Sequence, residues 1–161
     1  MQRNFGPVMQ IAWVVRDLEA AIDHWTRIMH VGPFFLFEHV PFSELLFHGK
    51  PSPVDMTAAL AYSGETQIEL IYQYNDAPSI YTEFLRGGRT GVQHLGVMTE
   101  SVDRDLERLS AQGVEAAQSG RTAWGARFAY LATDHDPGGM IELIDRVSAR
   151  TAAARARAQS A

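Results

Sequence analysis

The tetrapeptide Ile-Glu-Leu-Ile occurs twice, at residues 68–71 and 141–144, and puts Glu69 and Glu142 inside otherwise apolar segments. Strand side chains alternate between faces, so each glutamate points away from its isoleucine and leucine neighbours. A carboxylate in such a place is costly unless it is solvated, paired or bound to a cation. Two further polar residues open apolar segments. Gln10 begins Gln-Ile-Ala-Trp-Val-Val, and His94 begins His-Leu-Gly-Val-Met-Thr. Each segment runs into a helix start, at Asp17 and at Ser101. The same arrangement twice implies one site assembled from two related halves. The plainer alternatives are glutamate–arginine ion pairs, a hydrogen-bonded structural histidine and a half-exposed glutamine.

The elements that must position these residues also come in a repeated order. Residues 8–15 read as a strand, apolar on both faces. Asp17 is a helix N-cap, with Glu19 in the first turn to complement the dipole. Leu18, Ile22, Trp25 and Met29 recur at helical spacing and are expected to face the core. Gly32-Pro33 ends that helix. Residues 34–40, 56–62 and 66–72 read as strands, and 41–54 as a surface excursion. A linker at 75–79 and a short helix at 80–86, closed by Gly87-Gly88, lead into the second half. There, 93–98 is a strand, and Ser101 caps a helix with Val102, Leu106 and Leu109 as its buried stripe. Gly113 stops it. Strands at 114–117, 127–133 and 140–146 follow, with an Asp136-Pro-Gly-Gly turn between the last two. Both halves run strand, helix, three strands. The expected class is α+β, a single domain over 1–146 with βαβββ modules at about 8–74 and 90–146. Residues 147–161 form an Ala/Arg-rich tail without assigned chemistry.

Composition narrows the partners. Apolar residues make up 46% of the 161 residues, enough for a core in one domain of this length. A net charge of −5 argues against general nucleic-acid binding, which needs a basic surface. The absence of cysteine excludes disulfides, thiolate nucleophiles and cysteine-ligated metals. No apolar run reaches the roughly 18–20 residues of a membrane span, and no signal peptide is evident. A cytoplasmic location fits these features.

These segments together resemble the vicinal oxygen chelate superfamily, which includes glyoxalase I, methylmalonyl-CoA epimerase, extradiol dioxygenases and bleomycin- or fosfomycin-resistance proteins. The resemblance covers about residues 8–146. It rests on the paired module order, on Asp17-Leu18 after the first strand, and on the ending Asp136-Pro-Gly-Gly-Met-Ile-Glu142-Leu. It implies that the two modules form a cupped mixed β-sheet around a divalent metal, with ligands at Gln10, Glu69, His94 and Glu142. The first and fourth strands of each module supply one ligand each. The set is similar to that of the eukaryotic-type glyoxalase I, while the overall sequence is closer to methylmalonyl-CoA epimerases. One imidazole, one amide oxygen and two carboxylates suit Zn, Ni, Co or Mn. Such an ion stabilises the enediolate formed when a proton leaves next to a carbonyl. A ligand carboxylate that leaves the ion is a candidate base, Glu142 by preference and Glu69 as the alternative.

Several positions depart from particular family members. Extradiol dioxygenases hold iron with two histidines and one glutamate, so Gln10 disfavours oxygen chemistry. Val14 stands where glutathione-dependent glyoxalases place an arginine, Gln73 replaces the asparagine after the second ligand, and Arg89 is only near the usual arginine. Of the segment 49–55, only Asp55 is a candidate for the opposing carboxylate of an epimerase. Trp124, Gln73 and His135 are the candidate substrate contacts, whereas His24, His30, His39 and His48 read as surface or packing residues.

The resulting expectation is a metal-dependent lyase or isomerase, acting by proton transfer next to a carbonyl on a small molecule, in a homodimer. The rival is a non-catalytic binding protein of the resistance type, whose cup sequesters an aromatic ligand without a metal.

Overall fold

A computed structural model describes residues 5–133 and 139–146. The first module contains β1 (Val8–Val14), α1 (Leu18–Arg27), β2 (Phe35–Phe37), β3 (Phe42–Phe47), β4 (Lys50–Pro51), β5 (Met56–Ser63) and β6 (Thr66–Gln73). Helix α2 (Ile80–Arg86) links it to β7 (Val92–Thr99), α3 (Val102–Ser110), β8 (Ala116–Thr122), β9 (Arg127–Leu131) and β10 (Met140–Asp145). All ten strands form one sheet in the order β2-β5-β6-β1-β7-β10-β9-β8-β3-β4.

The two modules meet at the antiparallel pair β1 and β7. On either side, β6 runs parallel to β1 and β10 parallel to β7. The centre of the sheet therefore carries a pseudo-twofold relation between modules, and the expected α+β architecture is observed. Helices lie where the alternation predicts. Ile68 faces outward into a cluster with Val31 and Ala61, covered by Trp25 of α1. Leu143 faces outward into a cluster with Val102 and Leu109 of α3. Helix α2 instead contributes Ile80, Tyr81 and Phe84 to the largest buried cluster, together with Met56, Phe128 and Tyr130.

Asp17 and Ser101 cap α1 and α3 as their types predict, accepting from Ala20 N and Arg104 N. The apolar stripe of α1 is shallower than its spacing predicts. None of its residues is fully buried, and Met29 lies beyond the helix end, half exposed.

Two segments differ from the sequence reading. The supposed excursion at 41–54 contains the hairpin β3–β4, and β3 pairs antiparallel with the outer edge of β8. An edge strand offers unpaired N–H and C=O groups, and the Leu45-Leu46-Phe47 run takes them up. Strand β8 itself extends to Thr122, well past the expected Ala117. Its polar residues Gln118, Ser119 and Thr122 hide it from hydropathy, yet all three are buried between β3 and β9.

The hairpin forces the sheet to curl. Strands β2 and β3 stand eight steps apart, roughly 38 Å if flat at about 4.8 Å per step. Only residues 38–41 join them, a span of at most roughly 18 Å. The sheet must bend into a cup. Backbone hydrogen bonds from Val40 N to Met56 O (2.9 Å) and Ala123 N to Pro41 O (2.7 Å) stitch this seam to both sides. Gly120 permits the closure of β3 on β8, because an added Cβ would meet Phe128 Cζ at 2.5 Å and Leu45 Cδ1 at 2.8 Å.

Substituting Gly120→Ala should therefore destabilise the fold by about 1–3 kcal/mol, the usual cost of overpacking. Urea unfolding measures this, and an unchanged midpoint would show that β3 does not press on β8.

Candidate metal centre

Four neighbouring strands, β6, β1, β7 and β10, present two rungs of side chains to the cup. One rung is Gln67, Gln10, Gly96 and Glu142. The next is Glu69, Ala12, His94 and Met140. The pseudo-twofold exchanges Gln10 with His94, Ala12 with Gly96, and Glu69 with Glu142. Each small residue lies between two larger polar ones. At Gly96 smallness is a requirement, since an added Cβ would stand 2.5 Å from Gln10 Oε1 and 2.8 Å from Gln10 Cβ.

Gln10, Glu69, His94 and Glu142 are all buried and come together within one chain. His94 Nε2 lies 3.2 Å from Glu142 Oε2, 3.3 Å from Glu69 Oε2 and 3.4 Å from Gln10 Oε1. Among the described residues both glutamates face His94 and neither is paired with an arginine, so the ion-pair alternative does not describe them there.

One N–H cannot be directed at three oxygens. Glu69 Oε2 in fact has no hydrogen-bond partner of acceptable geometry despite complete burial. The other ring nitrogen is already engaged, with Nδ1 2.7 Å from Gln93 Oε1. An N–H at Nδ1 donating to that carbonyl leaves Nε2 as the ring atom that faces the oxygens. Gln10 is oriented in the same way. Its Nε2 donates to Gln67 Oε1 at 2.9 Å, and Gln67 Nε2 donates to the Tyr62 hydroxyl at 2.8 Å. The Gln10 amide oxygen is thereby turned toward the centre.

The donor set fits a divalent cation. Donors bound about 2.1 Å from one ion stand roughly 3.0–3.4 Å apart when adjacent, close to the distances of the three oxygens from His94 Nε2. Two carboxylates neutralise a dication, and Glu69, His94 and Glu142 form a buried group with metal-ligating atoms. Burial lowers the pKa of His94, but the adjoining Glu142 and Glu69 carboxylates outweigh it and hold it at about 9. Burial raises Glu69 above its usual range, with His94 opposing and Glu142 reinforcing the shift.

Above the four donors lies a cavity of about 140 Å³ whose lining includes Gln10, Glu69 and Glu142. Trp124, in the β8–β9 turn, is part of that lining. Gln73 is not: its amide holds the 75–79 linker through Asn75 O, Ala77 O and Ser79 Oγ. Asp55 is also outside, at the surface against His39 Nδ1 at 2.7 Å. His135 lies outside the described residues.

The sequence reading missed Gln93, Gln67 and the pair Tyr81–Tyr130, whose hydroxyls are 2.9 Å apart. Gln67 was in reach of the period-two argument, since it shares a face with Glu69. Tyr81 was not, because it arrives from α2. Burial, reinforced by the charge of Glu142, raises both phenols well above their usual range, so they stay protonated. Tyr130 lines the cavity and is the ladder neighbour of Glu142.

Known proteins share this fold. Solved structures of similar fold include a hypothetical protein, BH1468, from Bacillus halodurans C-125 (TM-score 0.64, 17% identity, covering 87% of this chain and 94% of that one). Methylmalonyl-CoA epimerase from Mycobacterium tuberculosis is similar at TM-score 0.63 and 19% identity, covering 90% and 92%. A Streptomyces coelicolor methylmalonyl-CoA epimerase in complex with 2-nitronate-propionyl-CoA matches at TM-score 0.64 and 18% identity, covering 88% and 95%. Comparison with curated protein sequences finds no match. Residues 9–130 match the family model of the Glyoxalase/Bleomycin resistance protein/Dioxygenase superfamily, and this chain belongs to that superfamily.

Proposed function

We propose that the protein is a divalent-metal-dependent lyase or isomerase that moves a proton next to a carbonyl. The observation that carries this reading is the convergence of three oxygens on the Nε2 of His94, with Glu69 Oε2 left without a hydrogen bond. Gln10, Glu69, His94 and Glu142 would hold the ion. Zn, Ni, Co and Mn all accept this mixture of donors. A bound dication supplies Lewis-acid polarisation of a substrate carbonyl.

The chain's own residues supply the rest. Gln93 and Gln67 orient the His94 and Gln10 donors, as outer hydrogen bonds do in metal sites. Glu142 takes the proton from the carbon beside the carbonyl, and Glu69 is the alternative base. Whichever carboxylate accepts it, the other stays to balance charge. The protonated Tyr130 hydroxyl, beside Glu142, donates to a substrate oxygen as negative charge develops there. Largely apolar walls lower the local dielectric around these groups, which strengthens their electrostatic effect. The epimerases of similar fold also act on acyl compounds, which supports a carbonyl substrate.

The purified protein should carry about one divalent ion per chain, measured by elemental analysis and titration calorimetry. His94→Ala should lose most of it. Gly96→Ala should weaken it by displacing the Gln10 amide. No tight site in the wild type would leave the ligand-sequestering reading, which needs no ion.

Glu142→Gln should lower turnover by at least the roughly 10²-fold typical of a lost general base, while ion content falls less. Deuterium exchange from solvent into a turned-over hydroxycarbonyl compound should drop in parallel. Glu69→Gln should instead weaken ion binding more than it slows the loaded enzyme; the reverse order would move the base to Glu69. A protein carrying both substitutions, folded, ion-loaded and fully active, would eliminate the mechanism.

Gln10 in place of a second histidine leads us to expect no oxygen-dependent cleavage of a catechol ring after anaerobic loading with ferrous iron. Oxygen uptake coupled to ring opening at enzyme-like rates would overturn that expectation.

A further inference from the structure

The cavity above the four donors has two unlike walls. Met56, Ala58, Leu60 and Ile71, from β5 and β6, make one side aliphatic. The other side is a chain of rings. Phe42 lies 5.9 Å from Phe128, Phe128 lies 5.8 Å from Tyr130, and Tyr130 lies 4.9 Å from His94, all between ring centroids. Phe37, the ladder partner of Ala58, and Trp124 in the β8–β9 turn lie 6.4 Å apart and close the slot where the two walls meet. An aliphatic wall facing an aromatic one makes a slot for a flat apolar group, since rings favour offset and edge contacts with other rings. The volume, about 140 Å³, is comparable with the ~150 Å³ apolar cavity that takes up a benzene molecule.

Charge points the same way. Phosphates and carboxylates of large carriers such as coenzyme A or glutathione need cations to receive them. Among the described lining residues the only cation is Arg127, and its guanidinium is engaged by Asp103 Oδ1 at 2.8 Å and Gly120 O at 3.0 Å. Asp103 also draws in Arg121 at 3.6 Å. The whole sequence contains a single lysine, Lys50, which lies on β4 and does not line the cavity.

Resting on the metal-dependent reading above, we infer that the cavity takes a planar apolar group, aryl or conjugated, of a small oxygenated substrate, and that it does not receive the charged end of a carrier thioester. The oxygens meet the four donors. The flat group fills the slot between Ile71 and Phe128.

Mandelate and lactate test this directly, because they share one hydroxy-acid head and differ by the ring. In calorimetry with ion-loaded protein, mandelate should bind roughly ten- to a hundred-fold tighter than lactate, the range expected for burying one ring. Equal affinities, or methylmalonyl-CoA binding tighter than mandelate, would overturn the inference. Trp124→Leu and Phe37→Leu keep apolar bulk while removing rings. Together they should erase most of the mandelate advantage without changing ion content, and an undiminished advantage counts against the slot. If the wild type binds no ion, the metal-dependent reading fails separately. Benzyl alcohol added to the ion-free protein then still reports on the slot through tryptophan fluorescence: saturable binding supports it, and none refutes it.

Discussion

The antiparallel pairing of β1 with β7 is the constraint on which the site depends. It sets Ala12 beside His94 and Gly96 beside Gln10. The parallel partners then bring Glu69 next to Ala12 and Glu142 next to Gly96. Four polar side chains from four strands thus share a small area, because the two residues between them have almost no side chain. A slip of one residue in that pairing would turn Gln10 or His94 to the opposite face. The helices α1 and α3 defend the register by burying the alternate residues, Ile68 and Leu143, on the convex side.

Such a cluster is expensive to build. Two carboxylates and one imidazole inside a fold cannot all be satisfied by one another, since there is one shared proton for three oxygen acceptors. Burying unsatisfied charge costs several kcal/mol per group. Gln93, Gln67 and Tyr62 spend their hydrogen bonds on fixing orientation and do not relieve the shortfall at Glu69 Oε2. Orientation without satisfaction is what a preorganised cation site would require, with Glu69, His94 and Glu142 as the buried group that could hold an ion.

The second constraint is closure of the cup. Residues 38–41 cross from β2 to β3 over a distance that a flat sheet does not allow, and the added strand extends the far edge of the second module. Closure brings Phe37 and Phe42, from the first module, against Trp124 and Phe128 of the second. The aromatic wall is therefore a product of the same connection that bends the sheet. Charge at the donors and apolar rings above them divide the cavity into a polar floor and an apolar upper part. A substrate with oxygens at one end and a flat apolar group at the other matches both.

The amino-acid sequence by itself determined the paired module order, the helix caps at Asp17 and Ser101, and the pairing of Gln10 with His94 and Glu69 with Glu142 as candidates. These are local matters: strand alternation, capping chemistry and internal repetition act over a few residues and leave a readable pattern. The sequence did not reveal β3 as a sheet strand, because a strand recruited to a distant edge has no local partner to announce it. Polar β8 stayed hidden for the related reason that its burial comes from neighbours on both sides. Tyr81 entered the site from the helix that links the two modules, and Gln73, at the end of the strand that carries Glu69, was drawn away to hold a linker. Which strand edges meet, which side chains share a rung and whether the cup closes within one chain depend on contacts between residues distant in sequence. The tertiary structure alone decided these.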